Sequence, residues 1–312
     1  MANVLVLGAN GFIGSHLVDS LVAGGHTVRA FDRFSSRKPQ FKSSDQIEVV
    51  AGDYLNLDDI KKSLDDIEYV FHFISTTTPV SAENDPSIDI NTNIRMSVEL
   101  FKLCAAANIK KVIFASTGGS IYGDTGATSY KETEVPYPVS PYAIGKLTIE
   151  HYLRYFRVKH QLDSICLRIS NPYGERQPFH RKQGVIPIFL ECMARNQPIT
   201  VFGDGSMVRD YIYVRDLTDT IAAIFQKKTM HDTYNMGSGV GTDVNQLVDV
   251  ACRVSGKFPK IDRKETPSTF VRKVVLDTTR FKEEFGQPVA ATSLEDGMRK
   301  TYDYITQEIS KE

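Results

Sequence analysis

Charge of neither sign prevails in this sequence: 37 Lys and Arg stand against 38 Asp and Glu, a formal net charge of -1. Without a basic excess there is no electrostatic drive toward a phosphate backbone, so nucleic acid is not an expected partner. Cysteine is sparse. Cys104, Cys166, Cys192 and Cys252 lie far apart and form no CxxC pair, which argues against a zinc knuckle and a disulfide framework and fits a reducing compartment. No apolar run approaches the ~18 residues of a membrane span. Met1 runs straight into Asn3-Val4-Leu5-Val6-Leu7-Gly8, with neither the basic stretch nor the cleavage site of a secretory leader. Repeats and low-complexity segments are lacking as well. The expectation is a soluble, cytoplasmic protein without a metal site.

What is there fits a globular chain. At 312 residues the protein is about twice the usual domain size, so it holds one large domain or two coupled ones. Hydrophobic residues at 41% are enough for a sizeable core, and charged residues at 24% are too few for disorder. Short, uniformly apolar runs recur at Val4 to Leu7, Val28 to Phe31, Ile47 to Val50, Tyr69 to Ile74, Val112 to Ala115 and Ile165 to Ile169, with helix-like stretches between them. Strands buried on both faces look like this, and intervening helices make the sheet parallel.

The expected fold class is therefore α/β, a doubly wound parallel-sheet domain with a smaller mixed α/β substrate-binding domain. The first is placed at residues 1–170 with 210–235 returning to it, the second at 171–209 and 236–312. Ser35 to Pro39 and Tyr122 to Pro138 read as surface loops. The helices between Asn93 and Ala107 and between Ser140 and His160 are more apolar than one buried stripe requires. Burial against the sheet is one outlet for that surplus; a two-fold subunit interface making a homodimer is the other.

The first run leads into Gly8-Ala9-Asn10-Gly11-Phe12-Ile13-Gly14 and then a helical stretch, Ser15 to Ala23. Three glycines here allow a tight turn, backbone approach to a pyrophosphate and close packing of helix on strand, with positive potential at the helix N-terminus. The next run ends at Asp32, where a carboxylate can accept hydrogen bonds from the adenosine ribose and repel the additional phosphate of NADP. NAD is the expected cofactor, although the neighbouring Arg33 pulls the other way. A solvated strand-end aspartate is the bland alternative.

Tyr142 and Lys146 are four residues apart near the start of a helix, hence on one face. A free tyrosine has a pKa of about 10, and bringing it toward 7 takes about 4 kcal/mol of preferential phenolate stabilisation. An adjacent ammonium and a positive nicotinamide ring together could supply that. Such a phenolate can take a proton from a sugar hydroxyl.

In this order the motifs resemble the extended short-chain dehydrogenase/reductase family with its Rossmann domain, and within it the NAD-dependent epimerase/dehydratases of UDP-glucose 4-epimerase type. Gly8 to Gly14 resembles the cofactor loop, Gly52-Asp53 the adenine contact, and His72-Phe73-Ile74-Ser75 the segment along the cofactor. Phe114 to Gly123 is similar to the strand and loop of the catalytic hydroxyl, and Ser140 to Lys146 to the catalytic helix. Arg168 to Gln177 and Arg209 to Leu217 resemble the substrate-domain signatures, so the likeness runs along nearly the whole chain.

The resemblance implies that Tyr142 is the base, that Lys146 orients the nicotinamide ribose, and that Thr117 holds the sugar O4, with Ser116 as the alternative hydroxyl. It implies cofactor contacts from Gly8, Gly11, Phe12, Ile13, Gly14, Asp32, Arg33, Asp53, Tyr54, Phe73, Ser75 and Ile169, besides Tyr142 and Lys146. On the substrate side it implies Asn171 and Arg209 at the diphosphate and Val201-Phe202-Gly203 at the uracil; a surface salt bridge to Asp210 or Asp216 is the plainer account of Arg209. One departure stands out: Pro267 and Phe270 occupy positions where relatives carry an Arg and an Asp, and Arg272 can replace only one of them.

The implied activity is 4-epimerisation of a diphosphate-linked hexose, of the UDP-glucose/UDP-galactose type or its N-acetylated equivalent. The departure leaves room for a polyprenyl diphosphate carrier. A 4,6-dehydratase needs an acid and base pair where Gly118 and Gly119 stand, and Asp32 disfavours an NADPH-consuming reductase. A noncatalytic NAD-binding regulator is the reading from another class; intact Tyr142, Lys146 and Thr117 argue against it.

Overall fold

The computed structural model describes residues 1–35, 38–178, 184–265 and 272–312. They form two compact units, Met1–Gly123 with Val135–Ile169 and Thr218–Tyr234, and Asp124–Glu134 with Ser170–Leu217 and Asn235–Glu312.

Each apolar run of the first unit becomes a strand: β1 (Asn3–Leu7), β2 (Thr27–Asp32), β3 (Ile47–Ala51), β4 (Tyr69–His72), β5 (Lys111–Thr117) and β6 (Ser164–Ile169). The helices among them are α1 (Phe12–Ala23), α2 (Leu57–Ser63), α3 (Pro79–Asn84), α4 (Pro86–Asp89), α5 (Arg95–Ala106) and α6 (Pro141–His160). A π-helical turn at Ile90–Ile94 joins α4 to α5, so the helix expected from Asn93 begins inside a wider turn.

Later in the chain come β7 (Asn171–Tyr173), α7 (Val185–Ala194), β8 (Ile199–Phe202), β9 (Val208–Tyr213), α8 (Val214–Ile224), β10 (Thr233–Met236), β11 (Gly241–Asp243) and α9 (Val244–Ser255). They are followed by β12 (Ile261–Lys264), β13 (Lys273–Val274), α10 (Thr279–Phe285) and α11 (Leu294–Ile309). The large sheet has the order β10-β6-β5-β4-β1-β2-β3. The pairings recorded among its first six strands are parallel, and the order reverses direction at β1. Ligands of doubly wound sheets bind outside the carboxyl ends of the strands at such a point.

The first core joins Leu5, Leu7, Phe31, Val70 and Phe114 of the sheet to Leu100, Phe101 and Cys104 of α5 and Ile149, Leu153 and Phe156 of α6. Most of the surplus apolar surface on these two helices is thereby absorbed within the chain. Ile144, Tyr152, Tyr155 and Val158 of α6 stay exposed. The second unit has its own core, with Phe189 and Leu190 of α7, Leu247 and Val248 of α9, and Met298 and Ile305 of α11. Its β7, β9, β11 and β13 form one small sheet, and β8 pairs with β12 in another.

The stretch Tyr122 to Pro138 is not the free surface loop expected from its turn-rich sequence. Tyr122 and Tyr130 are fully buried. Arg168 donates to the Tyr122 hydroxyl at 3.0 Å, and Tyr130 bridges to Leu276, its N–H donating to the carbonyl of Val275 at 2.9 Å. Part of the Ser35 to Pro39 loop lies outside the described residues.

Candidate active site

The turn from β1 into α1 is built around glycine. Gly8 has φ +87°, a left-handed conformation that costs other residues strain, and a methyl there would lie 2.9 Å from the backbone nitrogen of Ile74. A methyl on Gly14 would lie 2.0 Å from the carbonyl oxygen of Gly8, so only glycine lets the helix start this close to the strand. Gly11 is the N-cap and contributes no side chain to the first-turn amides, and Phe12 and Ile13 behind it are half-buried. The helix N-terminus thus turns main-chain N–H groups and positive potential outward, as a diphosphate requires.

Asp32 closes the same crevice from the end of β2. Its Oδ2 accepts from the Asn10 N–H at 3.0 Å and its Oδ1 from the Arg33 N–H at 2.7 Å, which fixes the carboxylate while leaving lone pairs for ribose hydroxyls. The Arg33 side chain is exposed. Cradle and carboxylate together fit a dinucleotide that lacks a 2′-phosphate.

Helix α6 carries Tyr142 and Lys146. Ser140 caps it, its hydroxyl accepting from the Ala143 N–H at 3.3 Å; Pro141 occupies the first turn, and Arg157, Lys159 and His160 lie in the last turn, where cations are favoured. Lys146 is buried, donates to the Ala115 carbonyl at 2.9 Å, and sits 4.8 Å from the Phe114 ring centre and 5.7 Å from that of Tyr142. Burial pulls Lys146 down to about 8, while the carboxylates of Asp89 and Glu150 hold it up. Burial pushes the Tyr142 phenol up to about 12, and Asp89 adds to the rise. Both influences favour the protonated phenol.

The two candidate hydroxyls at the end of β5 separate. Ser116 is buried and donates to Glu150 at 2.5 Å, while Glu150 also takes Arg168 at 2.7 and 3.1 Å. Sequence reading missed this buried carboxylate–guanidinium pair, although Tyr142, Lys146 and Glu150 recur every four residues along one helix face. As the alternative hydroxyl, Ser116 is thus already committed to structure. Thr117 is half-buried with its Oγ1 3.1 Å from that of Ser120, at the strand end that Lys146 grips through Ala115.

Several expected cofactor contacts serve the framework in their side chains or main chain. The Tyr54 ring belongs to the core and its hydroxyl lies 3.3 Å from both His72 Nε2 and Ser97 Oγ, so a cofactor contact there would come through its main chain. Asp53 follows β3, accepting from the Leu55 N–H at 2.9 Å. Phe73 and Ser75 lie just past β4, Phe73 half-buried and Ser75 exposed, with the Ser75 hydroxyl donating to the Thr77 carbonyl at 2.9 Å. Ile169 is buried, its carbonyl accepting from the Gly118 N–H at 2.6 Å.

In the second unit, Asn171 and Arg209 stand on the paired strands β7 and β9. Asn171 donates to the Asp210 carbonyl at 2.9 Å. Arg209 donates to the Val208 carbonyl at 2.9 Å, and burial lowers its pKa. The two acids considered as its surface partners are engaged elsewhere: Asp210 accepts from Ser238, Gly239 and Leu276, and Asp216 from Ala291 and Thr292. Val201 points into the core, so an edge contact from β8 would come through its backbone. Arg272 is exposed, with its N–H on Asp124 at 2.9 Å. Pro267 and Phe270 lie outside the described residues.

Comparison with known proteins agrees with this geometry. The profile described as "NAD dependent epimerase/dehydratase family" matches residues 4–237. A UDP-glucose 4-epimerase of Mycolicibacterium smegmatis is 34% identical over 308 residues, 96% of this chain and 97% of that one. A dTDP-4-dehydro-6-deoxyglucose reductase of Escherichia coli is 31% identical over 304 residues, 95% of each. The crystal structure of a UDP-glucose 4-epimerase from Thermotoga maritima with UDP-glucose superimposes with a TM-score of 0.91 at 36% identity, over 98% of this chain and 99% of that one. Among the described residues no helix is long and apolar enough to cross a membrane. With a profile match from Val4 to Gly237 and relatives aligned almost end to end, the chain belongs to the NAD dependent epimerase/dehydratase family of extended short-chain dehydrogenases/reductases and is an NAD-dependent enzyme.

Proposed function

We propose that the enzyme is a 4-epimerase of a UDP-linked hexose, of the glucose/galactose type or the N-acetylated equivalent. The observation that carries this reading is Lys146, held by the Ala115 carbonyl beside the Tyr142 ring at the strand end where Thr117 stands. Tyr142 Oη takes the proton from the sugar O4 and returns it at the end of the cycle. Lys146 Nζ favours the phenolate by charge, and the Thr117 hydroxyl fixes the direction of O4. NAD, when bound, supplies reversible oxidation at C4, so net redox change is zero. Gly8, Gly11, Gly14 and Asp32 bind and orient it. Asn171, Arg209 and Arg272 serve the diphosphate, and the Val201 strand serves the uracil through its backbone.

The reading includes a cytoplasmic homodimer, in which the exposed stripe Ile144, Tyr152, Tyr155 and Val158 of α6 meets its own copy. No acid and base pair stands at Gly118-Gly119, which favours epimerisation over dehydration.

A panel of UDP-glucose, UDP-galactose, their N-acetyl forms and UDP-glucuronate tests the assignment by separation of C4 epimers. Interconversion of one pair is expected. A 4-keto-6-deoxy product, or stoichiometric consumption of reduced cofactor, would overturn it.

A further inference from the structure

Gly145 stands between Tyr142 and Lys146 on α6. A methyl built on it would lie 1.7 Å from Oδ2 of Asp89. The missing side chain lets a carboxylate from another element rest on the helix backbone between the two reactive residues.

Asp89 ends α4 and is buried. Its Oδ1 accepts from the Thr77 hydroxyl at 2.5 Å and the Asn93 amide at 2.7 Å. Asn93 reaches back to the same loop, its Oδ1 accepting from the Thr76 N–H at 2.9 Å. One oxygen of Asp89 thus grips the loop that follows β4, and the other meets α6.

Of the other groups around Lys146, Glu150 acts in the same direction but less than Asp89. From α6, Tyr142 is a phenol, and Glu150 spends its carboxylate on Arg168 of β6 and on Ser116. From β5 come the Ala115 carbonyl and the Phe114 ring. From β4, His72 is buried and kept neutral, its pKa lowered to about 3 by burial and by Lys146 itself. The donors on Asp89 are neutral, and its carboxylate acts on the ammonium across space rather than through a direct ion pair.

We propose that Asp89 is the counter-charge that holds Lys146 in its ammonium form beside Tyr142, and that it positions the pair by tying α6 to the loop after β4. This rests on Tyr142 and Lys146 being the reactive pair. Burial of Lys146 favours the neutral amine, and Asp89 is the foremost influence in the other direction. The same carboxylate opposes the Tyr142 phenolate. Asp89 therefore adds to burial in favouring the protonated Tyr142 phenol.

NMR of protein carrying nitrogen-15 lysine reads Lys146 directly, with Lys146→Arg assigning its signal. In Asp89→Asn the Lys146 titration is expected about one unit lower, the size of shift that loss of a near opposite charge gives. The alkaline limb of kcat against pH should move the same way, which a purely structural role would not produce. Gly145→Ala, which must push Oδ2 off the helix, should lower the titration less, and it decides the matter should Asp89→Asn fail to fold. An unshifted Lys146 signal in the folded variant overturns the proposal. Because that signal needs no turnover, failure of the wild type to epimerise any UDP-hexose would count against the proposed function and leave the titration result standing.

Discussion

Ser116 and Thr117 are neighbours in β5, yet their hydroxyls belong to different systems. Ser116 donates to the buried Glu150 carboxylate at 2.5 Å, and Thr117 stands 3.1 Å from Ser120 at the strand end. Strand alternation turns adjacent side chains to opposite faces, so one residue cannot stand in for the other. Thr117→Val should lower kcat by about 10², the usual loss for one transition-state donor, with the melting temperature held. Ser116→Ala should instead cost about 1–3 kcal/mol of stability, because a buried charged acceptor loses a donor, with kcat near wild type. Urea unfolding and steady-state rates on both variants check the division, and a reversed pattern would exchange the two roles.

In the proposed reading Asp32 sets the cofactor choice. Replacing it by Ala removes the acceptor for the ribose hydroxyls, and NAD affinity should fall about ten- to a hundred-fold, as for one charge-assisted hydrogen bond. Nucleotide released from denatured wild-type protein should be NAD. Recovery of mostly NADP would hand the site to Arg33.

His72 gives the protein an acid-sensitive term. Its folded pKa is lowered by burial to about 3 from 6.5, so between those values the unfolded chain binds a proton that the folded chain refuses. This share of stability is fully present above pH 6.5 and is lost as the pH falls toward 3, at about 1.4 kcal/mol per pH unit. His72→Gln loses that slope whatever its absolute stability. Urea titrations of both proteins at pH 7 and pH 5 measure the difference; equal slopes would mean that His72 is protonated in the fold.

The exposed stripe on α6 accounts for the proposed dimer. Light scattering should give about 70 kDa, twice the chain mass of 34.9 kDa. Val158→Arg, which charges the stripe at its most exposed side chain, should shift the protein to monomer. A wild-type monomer at micromolar concentration would leave those side chains without a role.

The sheet was legible because parallel strands are apolar on both faces: Val112 to Ala115 and Ile165 to Ile169 stand out with no other information. Gly8 to Gly14, Asp32, Tyr142 and Lys146 were legible because each is a local pattern with a local reason. What the sequence hid was pairing over distance. Nothing adjacent in sequence announces that Glu150 takes both Ser116 and Arg168, or that Gly145 is small to admit Asp89. The burial of the Tyr54 ring was hidden for the same reason, since a ring beside a cofactor motif and a ring in the core read alike until the helix that covers it is in place. Tyr130 reads as loop and is buried because its partner, Leu276, comes 146 residues later.

The central claim is tested most directly by incubating purified enzyme with UDP-galactose and measuring UDP-glucose formed, beside Tyr142→Phe. Wild type should interconvert the two epimers, or their N-acetyl counterparts, without net consumption of cofactor. Tyr142→Phe should be slower by about 10² to 10⁴ while still binding nucleotide and substrate, the loss expected when a general base is removed. Wild-type turnover in that variant, or no epimerisation of either pair by NAD-loaded wild type, would contradict the account.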